Sequence, residues 1–149
     1  MAWFEGTHTE TRTLPHSVEA VRAHFSDLEQ VAKNTTDLES HSIAGDVLTM
    51  HMKEQNHGIV KFKGHVECRF TLDGDTLTWE AVGDTNLKQS GKATFAADGA
   101  GTKLEYTETI AIDLGIPKVM AAGLKPMIAP MLAKEVKGYV ERMAGSVGN

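Results

Sequence analysis

Residues 116–145 read IPKVMAAGLKPMIAPMLAKEVKGYVERMAG, the last long segment of a 149-residue chain. Val119, Met120, Leu124, Met127, Ile128, Met131, Leu132, Val136, Tyr139, Val140 and Met143 recur at three- and four-residue intervals. That spacing lays an apolar stripe along one face of a helix. Pro117 suits the first helical position, where a missing N–H costs nothing. A continuous helix here would be about 43 Å long at about 1.5 Å per residue, a length that a strand of about 12 residues matches. Gly123, Pro126 and Pro130 interrupt the pattern. A proline inside a helix removes a hydrogen bond and crowds the preceding turn, so a kink or break is expected near 123–130. The methionines at that point are flexible side chains that fit irregular surfaces. They read either as core filler beside a tolerated kink or as the wall of a cavity that flexes to admit a ligand.

Upstream of this helix the chain supplies the partners it needs. Residues 3–14 are Thr-rich and mix polar with aromatic side chains, as a strand with one wet face does. Ser17 is a good N-cap for a helix carrying Val18, Val21, Phe25 and Leu28, and Ser26 with Glu29 reads as a capping box for a second short helix. Strands are then expected at 38–44, 47–54, 57–72, 76–82, 87–97 and 102–113, joined by turns such as Asp73-Gly74 and Asp98-Gly99. Short connections make the sheet antiparallel. The order is one strand, two short helices, six strands and one long helix, an α+β layout in a single domain, 1–149, with a curved sheet gripping the final helix.

Strand parity then identifies the inner face. From 60 to 70 the even residues Val60, Phe62, Gly64, Val66, Cys68 and Phe70 are apolar or small, and the odd ones are polar. Leu77 and Trp79 face inward on the next strand, then Gln89, Gly91 and Phe95, then Leu104, Tyr106, Glu108, Ile110 and Ile112. Glu108, Gln89 and the Tyr106 hydroxyl are therefore polar groups on an apolar face. A buried carboxyl must be paired, hydrogen-bonded or neutralised. Glu108 either meets a polar ligand group inside, or acts as an acid or base, or turns out to solvent at a bulge.

The totals narrow the function classes. A formal net charge of −5 argues against the basic face of a nucleic-acid binder. No run of eighteen apolar residues is present, so no membrane-spanning segment is expected. The first residues do not pattern as a signal peptide, and a cytoplasmic location follows by default. The lone Cys68 suits a small core residue. The seven histidines are scattered without ligand spacing, so no metal site is expected.

With the elements in this order, the chain resembles the START-like, or SRPBCC, superfamily of helix-grip, Bet v 1-like proteins. The resemblance rests on LPHSVEAVRAHFSDLEQV after the first strand, on GIVKFKGHVECRF, and on DGAGTKLEYTETI leading into the final helix. Within that superfamily it is nearest to the branch of carbon monoxide dehydrogenase accessory proteins and to the polyketide cyclase/dehydrase and lipid-transport branch. The resemblance implies a deep apolar cavity between sheet and final helix that holds a lipid, quinone or polyketide-like molecule, with no cofactor. The expected lining is Val60, Phe62, Val66, Phe70, Trp79, Gln89 and Phe95 from the first strands. Leu104, Tyr106 and Glu108 follow from the last strand, and Met120, Leu124, Met127 and Met131 from the helix. Binding without turnover is the first expectation. The alternative is a cyclase or dehydratase using Glu108 as acid or base with Tyr106 assisting.

Overall fold

The computed structural model describes residues 2–57 and 60–148, without the side chains of His57 and Val60. A long strand, β1 (Trp3–Leu14), leads into two short helices, α1 (Val18–Ser26) and α2 (Leu28–Lys33). Strands β2 (Leu38–Ala44), β3 (Val47–Met52), β4 (Gln55–His57), β5 (Val60–Phe62), β6 (His65–Asp73), β7 (Thr76–Ala81), β8 (Leu87–Asp98) and β9 (Gly101–Asp113) follow. The helix α3 (Lys118–Gly145) ends the fold. Seven strands form one sheet in the order β1-β9-β8-β7-β6-β3-β2, and β4 pairs with β5 apart from it. Every neighbouring pair is antiparallel. The architecture is the α+β helix grip expected.

Burial follows the parity of the sequence. On β9, Leu104, Tyr106, Glu108, Ile110 and Ile112 are all buried, and on β6 so are Val66 and Cys68. The outer face of β9 is zipped to β1 by hydroxyl pairs, Thr7 with Thr109 at 2.7 Å and Thr9 with Thr107 at 2.8 Å, the cross-strand contact that Thr favours. On β1 the inner-facing His8, Glu10 and Arg12 form a chain of ion pairs at 2.9 Å each.

Three local expectations are corrected. The single strand expected at 57–72 is divided: His57 belongs to β4 and is the antiparallel register partner of Val60 on β5, and β5 is separated from β6 by a break at Lys63-Gly64. Gly64 sits where a Cβ would press on Met52, Phe62 and Leu87. Asn86 bridges the break, its amide donating to the Lys63 carbonyl and its side-chain oxygen accepting from the His65 N–H. The second short helix is capped by Asp27, whose carboxylate accepts from the Glu29 N–H at 3.0 Å, while the Ser26 hydroxyl donates back to the Arg22 carbonyl. Ser17 caps α1 as expected, accepting from the Ala20 N–H.

The third correction concerns α3, which runs unbroken through Pro126 and Pro130. Both prolines are exposed, so the carbonyls they leave unpaired are on the solvent side, where water satisfies them. The stripe does its burying only in the second half, through Ile128, Leu132, Val136, Val140 and Met143. Val119 is 84% exposed, Met127 66% and Met120 50%. The helix is seated on the sheet from Gly6 of β1, against Ala129, Leu132 and Ala133. On α3 before Lys125 only Ala121 is fully buried, with Leu124 half-buried against the core.

Gly6 is the closest approach between α3 and the sheet, since a Cβ there would overlap the Ala129 carbonyl and the Leu132 side chain. Overpacking of this kind costs about 1–3 kcal/mol. Gly6→Ala is therefore expected to lower stability by that amount in urea unfolding, whereas Gly74→Ala, in an open turn with positive φ, reports strain without any helix contact.

Candidate functional site

Between the inner face of the sheet and α3 lies a cavity of about 190 Å³. Its walls are mostly apolar and aromatic. Phe70 stacks on Trp79 with ring centres 5.9 Å apart, Trp79 meets Tyr106 at 5.2 Å, and Tyr106 meets Phe25 at 6.3 Å. The rim is polar, made by Thr36 and Asp37 after α2, Lys53 after β3, and Glu135 and Arg142 of α3. The Arg142 guanidinium donates to the Asn34 carbonyl at 2.8 Å, tying the helix to the loop at the mouth.

Glu108 is the buried acid of this cavity, 6% exposed. One carboxyl oxygen accepts from the Trp79 indole N–H at 3.0 Å and the other from the Tyr106 hydroxyl at 2.9 Å. The sheet register explains how the indole arrives there. Gly91 on β8 is the partner of both Trp79 on β7 and Glu108 on β9. A Cβ at Gly91 would overlap the indole ring, so the missing side chain lets Trp79 lie across β8 and reach the next strand. Sequence parity placed each of the three residues inside; only pairing puts them in one row.

Burial pushes the Glu108 carboxyl up to about 7, against the opposing pull of its bonds to Tyr106 and Trp79. Burial and then the Glu108 charge hold the Tyr106 and Tyr139 hydroxyls protonated, well above the ordinary tyrosine range. Cys68 is likewise pushed up to about 12 by burial, which leaves it an inert thiol donating to the Gln89 carbonyl at 3.3 Å. His8 is the register partner of Glu108 on β1, but its ring turns to Glu10. Among the described residues, no Lys, Arg or His forms an ion pair with Glu108.

Of the residues singled out from sequence, Phe62, Phe70, Trp79, Gln89, Tyr106, Glu108 and Met131 line the cavity. Val66, Phe95 and Leu104 are buried in the core behind it. Leu124 packs half-buried against that core, and Met120 and Met127 face solvent. The side chain of Val60 lies outside the described residues. The inward set of 104–112 already included Ile110 and Ile112, which also line the cavity, while sequence reasoning missed Phe25, Leu87 and Tyr139 as lining. Parity and the helical stripe had already turned all of them inward except Phe25, so the signal was present. The rim residues carry no such signal. His51 and His65, read as unrelated, stack on β3 and β6 with centres 4.5 Å apart. No group of three or more metal-binding side chains occurs among the described residues.

No family model and no curated protein matches the chain. Solved structures do. The ZhuI aromatase/cyclase from Streptomyces sp. R1128 superposes with a TM-score of 0.72 at 14% identity, over 96% of this chain and 93% of that one. A START superfamily protein from Mycobacterium smegmatis gives 0.69 at 14% identity, over 95% and 96%. A norcoclaurine synthase point mutant from Thalictrum flavum gives 0.60 at 11% identity, over 99% and 96%. The chain has the START-like helix-grip fold. At these identities the likeness is one of fold, and the chemistry of this helix-grip chain must be read from its own cavity. No described helix is long and apolar enough to cross a membrane.

Two outcomes follow from the Trp79–Gly91–Glu108 row. Gly91→Ala should displace the indole, shift the near-ultraviolet dichroism of tryptophan, and cost about 1–3 kcal/mol in stability. The second concerns pH. Folding raises the Glu108 carboxyl from 4.5 to about 7. Between those values the folded chain keeps a proton that the unfolded chain releases, so this group's contribution is full below about pH 4.5 and is lost as pH rises to 7. The loss amounts to roughly 3 kcal/mol. Glu108→Gln removes that dependence, and thermal melts at pH 5 and pH 8 should show the variant gaining on the parent at pH 8.

Proposed function

We propose that this protein binds a compact apolar small molecule in the cavity between sheet and α3. The observation that carries the reading is a preformed, largely apolar hollow with one buried carboxyl inside it. A hollow lined by hydrophobic side chains with a few convergent polar groups is the usual form of a ligand site. The likeness of fold to a START superfamily protein and to an aromatase/cyclase supports the same reading. Size narrows the class. About 190 Å³ falls under the roughly 300–1,000 Å³ of sites for drug-sized ligands. It favours a single ring system or a short chain, such as the head of a quinone or a small polyketide-like molecule, over a sterol or a two-chain lipid.

A second reading has a specific observation behind it. Glu108 titrates near neutrality beside the Tyr106 hydroxyl, as a general acid or base should. On that reading the protein is a cyclase or dehydratase acting on an aromatic or polyketide-like substrate. General acid–base groups contribute about 10²–10⁴ in rate. A turnover that falls by about a hundredfold or more in Glu108→Gln, with substrate binding kept, would favour catalysis over carriage.

The test of binding uses a neutral probe, 1-octanol, in calorimetric titration of the purified protein. Saturable one-to-one binding with a negative heat-capacity change is expected, the mark of apolar surface leaving water. Native mass spectrometry of freshly purified protein should in addition identify any co-purified molecule. No saturable uptake of octanol, or of a probe with the same chain and a charged head, would overturn the reading.

A further inference from the structure

Glu108 is an acid in an apolar cavity with hydrogen bonds but, among the described residues, no counter-charge. Its two oxygens accept from Trp79 and Tyr106, and its cross-strand neighbour His8 is taken by Glu10. The other titratable groups inside are Tyr139 and Cys68, both neutral when protonated; the charge of Arg142 reaches the Tyr139 hydroxyl and that of Glu80 reaches Cys68. The cations lining the cavity, Lys53 and Arg142, stand at its rim. Among the described residues no cation pairs with Glu108 itself, and its carboxylate keeps its negative charge.

The free polar groups point the same way. The Trp79 N–H and the Tyr106 O–H are both committed to Glu108, so neither is a spare donor for a carbonyl or a carboxylate. Gln89 and Tyr139 line the same cavity, and no hydrogen bond among the described residues engages the Gln89 amide or the Tyr139 hydroxyl. Gln89 lies two residues along β8 from Gly91, the partner of Glu108, within diagonal reach on one face. Each can accept a hydrogen bond. A carboxylate, an amide oxygen and a hydroxyl are three acceptors, and a primary ammonium has three N–H donors.

Resting on the reading of this cavity as a ligand site, we propose that its occupant is an apolar amine, held by an ion pair between its ammonium group and Glu108, with Gln89 and Tyr139 accepting its remaining N–H bonds. Folding has already stripped water from the carboxylate and fixed its orientation through Trp79 and Tyr106. The ligand gives up the hydration of its own ammonium and meets a prearranged partner, the arrangement that favours binding. An anionic head, such as that of a fatty acid, would bring like charge against Glu108. A neutral alcohol would leave the carboxylate unpaired.

The test is a matched series with one chain and three heads: octylamine, 1-octanol and octanoate, titrated calorimetrically into the intact protein at pH 8. Above the Glu108 midpoint of about 7 the carboxyl is charged, and an alkylamine, like lysine with its ordinary value of about 10.4, is protonated. Octylamine is expected to bind at least tenfold tighter than octanol, and octanoate weakest. In Glu108→Gln the preference for the amine should disappear while octanol affinity stays, which also shows that the variant has folded. Equal binding of all three probes would overturn the amine assignment and leave the apolar cavity standing. So would an amine preference that survives Glu108→Gln, which would move the ion pair to the rim acids Asp37 or Glu135. If no probe binds, the amine assignment fails together with the ligand-site reading.

Discussion

The absence of a side chain at Gly6 sets how α3 lies on the sheet. It lets the backbone of Ala129 and Ala133 come down onto β1, and the helix rests chiefly on that strand and on its neighbour β9. Because the contact is made at one edge, the inner faces of β6 and β7 are not filled by the helix. The sheet's curvature then leaves a hollow instead of a closed core. Leu132 and Val136 of α3 wall the near side, and Phe25 of α1 lines it as well. A larger residue at position 6 would lift the helix and change the depth of everything beneath it.

Gly91 plays the corresponding part on the far wall. A side chain there would lie where the Trp79 indole runs, so one missing Cβ permits a hydrogen bond spanning three strands. The result is a buried carboxyl that is oriented from two sides yet lacks a counter-ion among the described residues. Structural cores avoid that combination, because desolvating an unpaired charge is expensive. Proteins that tolerate a local conflict of this sort do so at functional sites. On the proposed reading, Glu108 is the point where the demands of stability and of ligand recognition diverge in this fold.

Much of this was legible in the residue pattern. The alternation in 60–70 and 104–112 gave the buried face correctly, because a period of two admits no compromise once one side is apolar. The same parity turned Glu108, Tyr106, Gln89 and Trp79 inward. The helix was recognisable, but its face was only half right. Val119, Met120 and Met127 have the spacing of core residues and are exposed, since periodicity describes the helix and says nothing about which part of its apolar stripe the sheet covers. The strand break at Gly64 escaped notice because Asn86, whose side chain holds it, lies 22 positions later.

The sequence alone therefore determined the order and type of the elements outside 55–64, the antiparallel pairing and the polar residues that turn inward. Those properties follow from short-range spacing, turn chemistry and side-chain alternation. Tertiary structure alone decided that the polar residues meet, that no described cation pairs with Glu108, and that a hollow of limited size surrounds it. Those properties depend on strand register and on how closely a helix can approach a sheet. Both are set by contacts between residues distant in sequence, through the side chains that Gly6 and Gly91 lack.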